Sequence, residues 1–294
     1  MRKESDAIRN ETKILAFDVF GTVVDWYGSV SREVRAMVPG VDPGEFALAW
    51  RSGYGPAMKR VAAGELEWTT IDRLHRMILD ELRARFGVDM LDEERTRRLN
   101  LVWHRLDPWP DSVEGVEHLK RRYVVCTLSN GNIALLTHMA KNAALPWDCI
   151  LSAEVFRRYK PDPTTYLGVA RTFDVAPHEV MMVAAHHGDL RAARECGLRC
   201  AFVERPLEYG PDGDPDVSRD PEDDCHARNL IELADTLHGQ YGCNFGTGEA
   251  DARSARESKR SRNSESAGGY RSCRATFVNS PSDSSVRSYR TSVP

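Results

Sequence analysis

The stretch Ile14-Leu-Ala-Phe-Asp-Val-Phe-Gly-Thr-Val-Val-Asp25 constrains the fold of this chain more than any other. Its four opening apolar residues, Ile14 to Phe17, have the length of a strand buried on both faces, and the run stops at an acid followed by Gly21 and Thr22. Such a strand belongs in the middle of a parallel sheet. Asp18 then sits at its carboxyl end, where open α/β sheets hold their ligands. Taken alone, an Asp in this position serves equally well as a cap for the next turn or helix.

The rest of the chain supplies the context. Ser29 to Met37, Pro43 to Val61, Thr69 to Phe86 and Glu93 to Leu106 carry apolar residues three and four apart, which predicts an all-helical segment over residues 27–106. From Pro110 the pattern alternates. Helices are predicted at Ser112–Arg122, Ile133–Asn142, Pro163–Phe173, Leu190–Cys196 and Asn229–Leu237, and strands at Tyr123–Leu128, Cys149–Ser152, Glu179–Ala184 and Arg199–Val203. That alternation gives a doubly wound parallel sheet with right-handed crossovers. The expected organisation is a split α/β core, residues 1–26 and 107–240, a helical cap at 27–106, and a tail at 241–294. Leu207 to Cys225, rich in Pro, Gly and Asp, reads as a surface excursion. In the tail, Gly246 to Pro294 contain 12 Ser and nine Arg or Lys without aliphatic periodicity, so it is expected to be disordered.

Composition narrows the class. Forty Lys and Arg against 44 Asp and Glu leave a net charge of -4, which gives the core no pull toward nucleic acid or anionic lipid. The seven cysteines are scattered without the paired spacing of zinc or redox sites, and a reducing cytoplasm fits them. Met1 to Thr12 lacks the apolar run of a secretory signal, and no run approaches the roughly 20 residues that cross a bilayer.

The chemistry gathers at strand ends. The second core strand runs into Thr127-Leu-Ser-Asn-Gly-Asn132, a later segment carries Arg158-Tyr-Lys-Pro-Asp162, and another strand runs into Ala184-Ala-His-His-Gly-Asp189. A doubly wound sheet brings Asp18, Ser129, Asn130, Lys160 and Asp189 to one crevice. These four motifs, in this order, resemble the haloacid dehalogenase superfamily from residue 14 to about 237, and the tail lies outside the resemblance. It implies a Rossmann-like core with an inserted cap. Most members are magnesium-dependent phosphatases with a second Asp two positions after the nucleophile, but here Phe20 stands there, and a phenyl ring offers Mg²⁺ no ligand. Asp18-Val-Phe-Gly-Thr22 is similar instead to the L-2-haloacid dehalogenase branch. So are Ala49-Trp-Arg51 and Tyr166, six residues after Lys160.

What the resemblance implies is hydrolysis of short (S)-2-haloalkanoic acids to (R)-2-hydroxy acids, with neither metal nor cofactor. Asp18 would attack C2 and form an ester, and water would then cleave that ester. Lys160 would keep Asp18 ionised, Asp189 would serve as base for the water, and Ser129 would anchor the substrate carboxylate. Phe20, Thr22, Asn130, Tyr166 and His186 would line the substrate site, and Arg51 with Asn130 would cradle the halide. The partners implied are a small halogenated acid and water, and relatives commonly form a homodimer through the cap. The last motif departs from the branch: Ala184 and Ala185 stand for two serines, His186 for an asparagine and Gly188 for an aromatic, and His187 is left without a role. Two alternatives stay open: a Mg²⁺-dependent phosphatase or phosphonatase, and a non-catalytic binding protein whose tail recruits RNA or a partner.

Overall fold

A computed structural model describes residues 10–88 and 91–239, which fall within one compact unit, Met1–Cys243. The expectation of a disordered tail lies outside the described residues. Strand β1 (Ile14–Phe17) occupies the centre of a six-stranded parallel sheet of order β5-β4-β1-β6-β7-β8. Its neighbours are β4 (Val124–Ser129), with Ile14 opposite Val124, and β6 (Val180–Ala184), with Ile14 opposite Val180. Beyond them lie β5 (Cys149–Ser152), β7 (Arg199–Val203) and β8 (Cys225–Ala227). Alternate residues of β1 enter opposite layers: Leu15 and Phe17 join one buried cluster, Ile14 and Ala16 the other. This two-sided burial is why the strand is apolar throughout. The chain winds outward to β4 and β5 on one side and to β6, β7 and β8 on the other, so the switch point falls at β1.

A two-residue antiparallel ribbon, β2 (Val24–Asp25) with β3 (Asp107–Pro108), ties the chain together where it leaves and re-enters the core. Between them lie α1 (Trp26–Met37), α2 (Pro43–Ala62), α3 (Ile71–Arg85) and α4 (Glu93–Asn100), followed by a 3₁₀ turn at Leu101–His104. Asp25 and Asp42 cap α1 and α2 by accepting from the N–H groups of Gly28 (2.8 Å) and Glu45 (2.7 Å). The Asp25 cap starts the first helix three residues ahead of the sequence expectation. The remaining helices are α5 (Ser112–Lys120), α6 (Ile133–Asn142), α7 (Ala153–Phe156), α8 (Pro163–Phe173), α9 (His187–Glu195) and α10 (Leu230–His238). Among the described residues no helix is long and apolar enough to cross a membrane.

Two expectations are corrected. Cys225–Ala227 pairs with β7, Ala201 opposite Cys225, and adds a sixth strand too short to leave a periodic signature. The stretch from Leu207 is not all surface, because Glu208 is buried, as is nearby Arg205. Arg205 ties this loop to the turn after β1: Nε donates to the Thr22 carbonyl (2.7 Å), and its two terminal nitrogens grip Asp111 at 2.9 Å each.

Candidate active site

The crevice forms where β1, β4 and β6 end. Asp18 prolongs the ladder by one bond, its N–H donating to the Val183 carbonyl (3.0 Å), and Gly21 turns the chain with a φ of +83°. The turn is pinned from outside: Trp109 Nε1 donates to the Gly21 carbonyl (2.8 Å) and the Ser112 hydroxyl to that of Val23 (2.7 Å). The Asp18 carboxylate is thereby held rigidly in a nearly closed site.

Three donors meet that carboxylate. Lys160 Nζ approaches Oδ1 at 3.0 Å, while the Thr22 hydroxyl (2.9 Å) and His186 Nδ1 (3.1 Å) both approach Oδ2. Burial works against the charge, yet the Lys160 ammonium and His186 hold Asp18 well below the usual carboxylate range. Lys160 also reaches Asp189 Oδ2 at 2.5 Å, and Asp189 Oδ1 accepts from the Tyr166 hydroxyl at 2.6 Å. Although burial disfavours the ammonium, these two carboxylates raise the Lys160 pKa further. The lysine is itself positioned by Asn130, whose Oδ1 accepts from the Lys160 N–H (2.7 Å) and whose Nδ2 faces the Lys160 carbonyl (3.4 Å) and Met58 Sδ (3.3 Å).

The residues singled out in the sequence thus converge, with three placements that differ from expectation. Thr22 is wholly buried and spends its hydroxyl on Asp18 and on the Ala185 N–H (3.0 Å), so it orients the carboxylate rather than facing a substrate. Tyr166, equally buried, holds Asp189. Ser129 accepts from the Gly131 N–H (3.1 Å) and shapes the turn after β4.

Phe20 is 3% exposed and meets Trp103, His75 and Tyr54 edge-on, with centroids 5.9, 6.3 and 6.4 Å away. It therefore closes the crevice with an apolar wall supplied by the helical insertion. Burial pushes His75 down to about 3 and Tyr54 up to about 12, so both stay neutral at ordinary pH. Arg51, on α2, lays its guanidinium 4.5 Å from the Tyr54 centroid and 5.7 Å from that of Trp26. Among the described residues no carboxylate pairs with it.

The sequence reading missed Glu208, a member of this site. Its carboxylate accepts from His186 Nε2 at 2.9 and 3.0 Å and from Trp26 Nε1 at 3.1 Å. Burial disfavours the imidazolium, but Asp18 and Glu208 on its two sides raise His186 to about 10. His187 lies in a different group, stacked on Phe202 at 4.3 Å and close to Asp220 and Asp223, both paired with Arg194.

No oxygen ligand stands at Phe20, and Thr22, Lys160 and His186 already engage both oxygens of Asp18. This donor set does not fit the Mg²⁺ that serves the phosphatases of the superfamily.

A model of the haloacid dehalogenase-like hydrolases matches residues 12–197. The chain is 29% identical over 207 residues to (S)-2-haloacid dehalogenase 4A of Burkholderia cepacia, covering 66% of this chain and 84% of that one. Among solved structures, a defluorinating L-2-haloacid dehalogenase is 41% identical with a TM-score of 0.75, over 77% of this chain and 95% of the other. Another L-2-haloacid dehalogenase is 45% identical with a TM-score of 0.74, over 77% and 99%.

Proposed function

The chain belongs to the haloacid dehalogenase-like hydrolases, and on that footing we propose that it hydrolyses short (S)-2-haloalkanoic acids to (R)-2-hydroxy acids through an ester on Asp18. The observation that carries this reading is the setting of Asp18: an ionised carboxylate fixed by Lys160, Thr22 and His186, with Phe20 where a second acid would stand. Of its two oxygens, Oδ2 accepts two hydrogen bonds and Oδ1 accepts one. Oδ1 therefore keeps a lone pair for C2 of the substrate. Its in-line attack forms the C–O bond as the halide departs with the bonding pair, inverting C2. A halide leaves as a stable anion and needs no proton donor, which suits a site without a second acid beside the nucleophile.

Arg51, with which no carboxylate among the described residues pairs, takes the halide and the substrate carboxylate from the side of the insertion, residues 27–106, which serves as cap. Asn130 completes the halide cradle, and N–H groups of the turn that Ser129 shapes anchor the carboxylate. Asp189, between Lys160 and Tyr166, accepts a proton from the water that attacks Cγ of Asp18. The Cγ–Oδ1 bond then breaks and the 2-hydroxy acid leaves with its new configuration intact.

The test is halide release from L- and D-2-chloropropionate, chloroacetate and fluoroacetate in EDTA, with Asp18→Asn as control. Release from the L enantiomer and the acetates, none from D, and none from the variant is the expected pattern. Absence of halide from every substrate, or EDTA-sensitive turnover of p-nitrophenyl phosphate, would sink the reading.

A further inference from the structure

The His186–Glu208 pair meets Asp18 at Oδ2, not at the oxygen that attacks C2, and it is built into the site as thoroughly as the nucleophile. The Glu208 side chain is 2% exposed, whereas 26% of that of His186 stays open to the crevice. Gly21 is shaped to admit the acid: at its positive φ, a Cβ would fall 2.2 Å from Glu208 Oε1. The grip of Arg205 on Thr22 and Asp111 holds the same loop in place.

Counting charges through the reaction shows what the pair supplies. Asp18 sits between two cations, and each has a second carboxylate of its own: Asp189 for Lys160, Glu208 for His186. Once Asp18 becomes an ester its charge is gone. A half-buried histidine without another partner would then tend to shed its proton. Glu208 keeps the imidazolium charged at that stage and fixes its orientation, with Nδ1–H still aimed at Oδ2. In the ester, Oδ2 is the carbonyl oxygen, and it becomes the oxyanion when water adds to Cγ and gives its proton to Asp189.

We propose that His186, held by Glu208, is the catalytic oxyanion-stabilising group of ester hydrolysis, acting with the Thr22 hydroxyl, and that Glu208 is its positioning residue. The assignment rests on the dehalogenase reading above. As the tetrahedral adduct collapses, the C=O bond to Oδ2 re-forms, Oδ1 leaves with the hydroxy acid and takes a proton from Asp189, the carboxyl left on Asp18 gives the water's second proton to solvent, and His186 keeps its proton throughout.

The experiment separates the two half-reactions in His186→Ala, His186→Leu and Glu208→Gln. Rapid mixing with L-2-chloropropionate measures the first equivalent of chloride against steady turnover, and mass spectrometry of the quenched protein measures the ester. Removing one oxyanion donor costs about 100-fold or more. In both His186 variants turnover should therefore slow by about that factor, and by more than the burst of one equivalent does, with the ester accumulating on Asp18. Glu208→Gln keeps an acceptor for Trp26, and its ester hydrolysis should fall off at a lower pH than in the wild type. The charged groups that meet His186 are Asp18 and Glu208, and of these only Glu208 is altered. A burst slowed as much as turnover, with no ester accumulating, overturns the assignment, as does an unchanged pH profile in Glu208→Gln. No chloride from the wild-type protein removes the dehalogenase reading, and this assignment with it.

Discussion

Replacing Lys160 with Met tests the centre of the site through stability, independently of any substrate. Lys160 is 8% exposed and Asp18 7%, and the ammonium lies within 3.0 Å of Asp18 and 2.5 Å of Asp189. Each contact is worth about 4 kcal/mol at an effective dielectric of about 20, and burying the ammonium takes back several kcal/mol. Removing the lysine leaves two buried carboxylates facing each other, and breaking such a pair costs about 3–5 kcal/mol. At 2–4 °C per kcal/mol for a domain of this size, the Tm at pH 7 should fall by about 10 °C. The pH dependence has a definite sign. In the wild type, the depressed Asp18 pKa contributes stability above its ordinary value of 3.8, lost only as pH falls further. The raised Lys160 pKa contributes below 10.5, and that is lost only above it. Between these limits the pair adds no slope. In Lys160→Met the two acids repel and one pKa rises, so protonation stabilises the folded state and the deficit should shrink from pH 8 to pH 5. Thermal denaturation followed by circular dichroism at pH 5, 6.5 and 8 measures this. A drop below about 2 °C at pH 7, or a deficit that grows toward pH 5, would refute the reasoning. Asp18→Asn in the same background should restore most of the lost Tm.

Arg51→Lys keeps the charge but loses the planar group over Tyr54, so the KM for chloropropionate should rise at least 10-fold, while the Tm stays within about 2 °C because no ion pair is broken. Tyr166→Phe removes one hydrogen bond to Asp189 and keeps the buried ring, so steady turnover should fall while folding loses about 1 kcal/mol, read by urea titration. Gly21→Ala combines a left-handed backbone with a Cβ driven into Glu208, so the Tm should drop and ester hydrolysis should slow more than the chloride burst.

The sequence revealed the residues that stand in motifs at strand ends or in the loops beyond them. Asp18, Asn130 and Lys160 sit in motifs dense enough to survive the loss of three-dimensional context, and Asp189 falls in the first turn of α9 just after β6. Glu208 did not show, because its neighbours Pro206, Leu207 and Gly210 give the loop the composition of surface, and burial here comes from contacts over 180 residues away in sequence. The strand-end rule carried one strand further, past Val203, does point to Arg205 and Glu208. The aromatic wall was hidden for another reason. Trp26, Tyr54, His75 and Trp103 belong to four separate elements, and helical periodicity marks each as buried without saying that they meet around Phe20.

The distribution of charge ties that wall to the chemistry. On the core side, Lys160 and His186 face Asp18, Asp189 and Glu208, and every one of these groups has a partner. On the insertion side Arg51 has none among the described residues. A haloacid entering between them brings one carboxylate and, at reaction, one halide, both negative and both without a counter-charge in the core. In the proposed reaction the substrate would complete the arginine rather than compete with a resident ion pair, so binding would break no salt bridge among the described residues. Arg51 does not have to be drawn in from solvent either, because the insertion is already clasped to the core. Asn132 donates to the Asp72 carboxylate at 2.8 Å and accepts from the Asp72 N–H at 3.2 Å, and the Tyr159 hydroxyl donates to the Thr69 carbonyl. A site held this way meets its substrate with little reorganisation, which directs binding energy toward the displacement at C2.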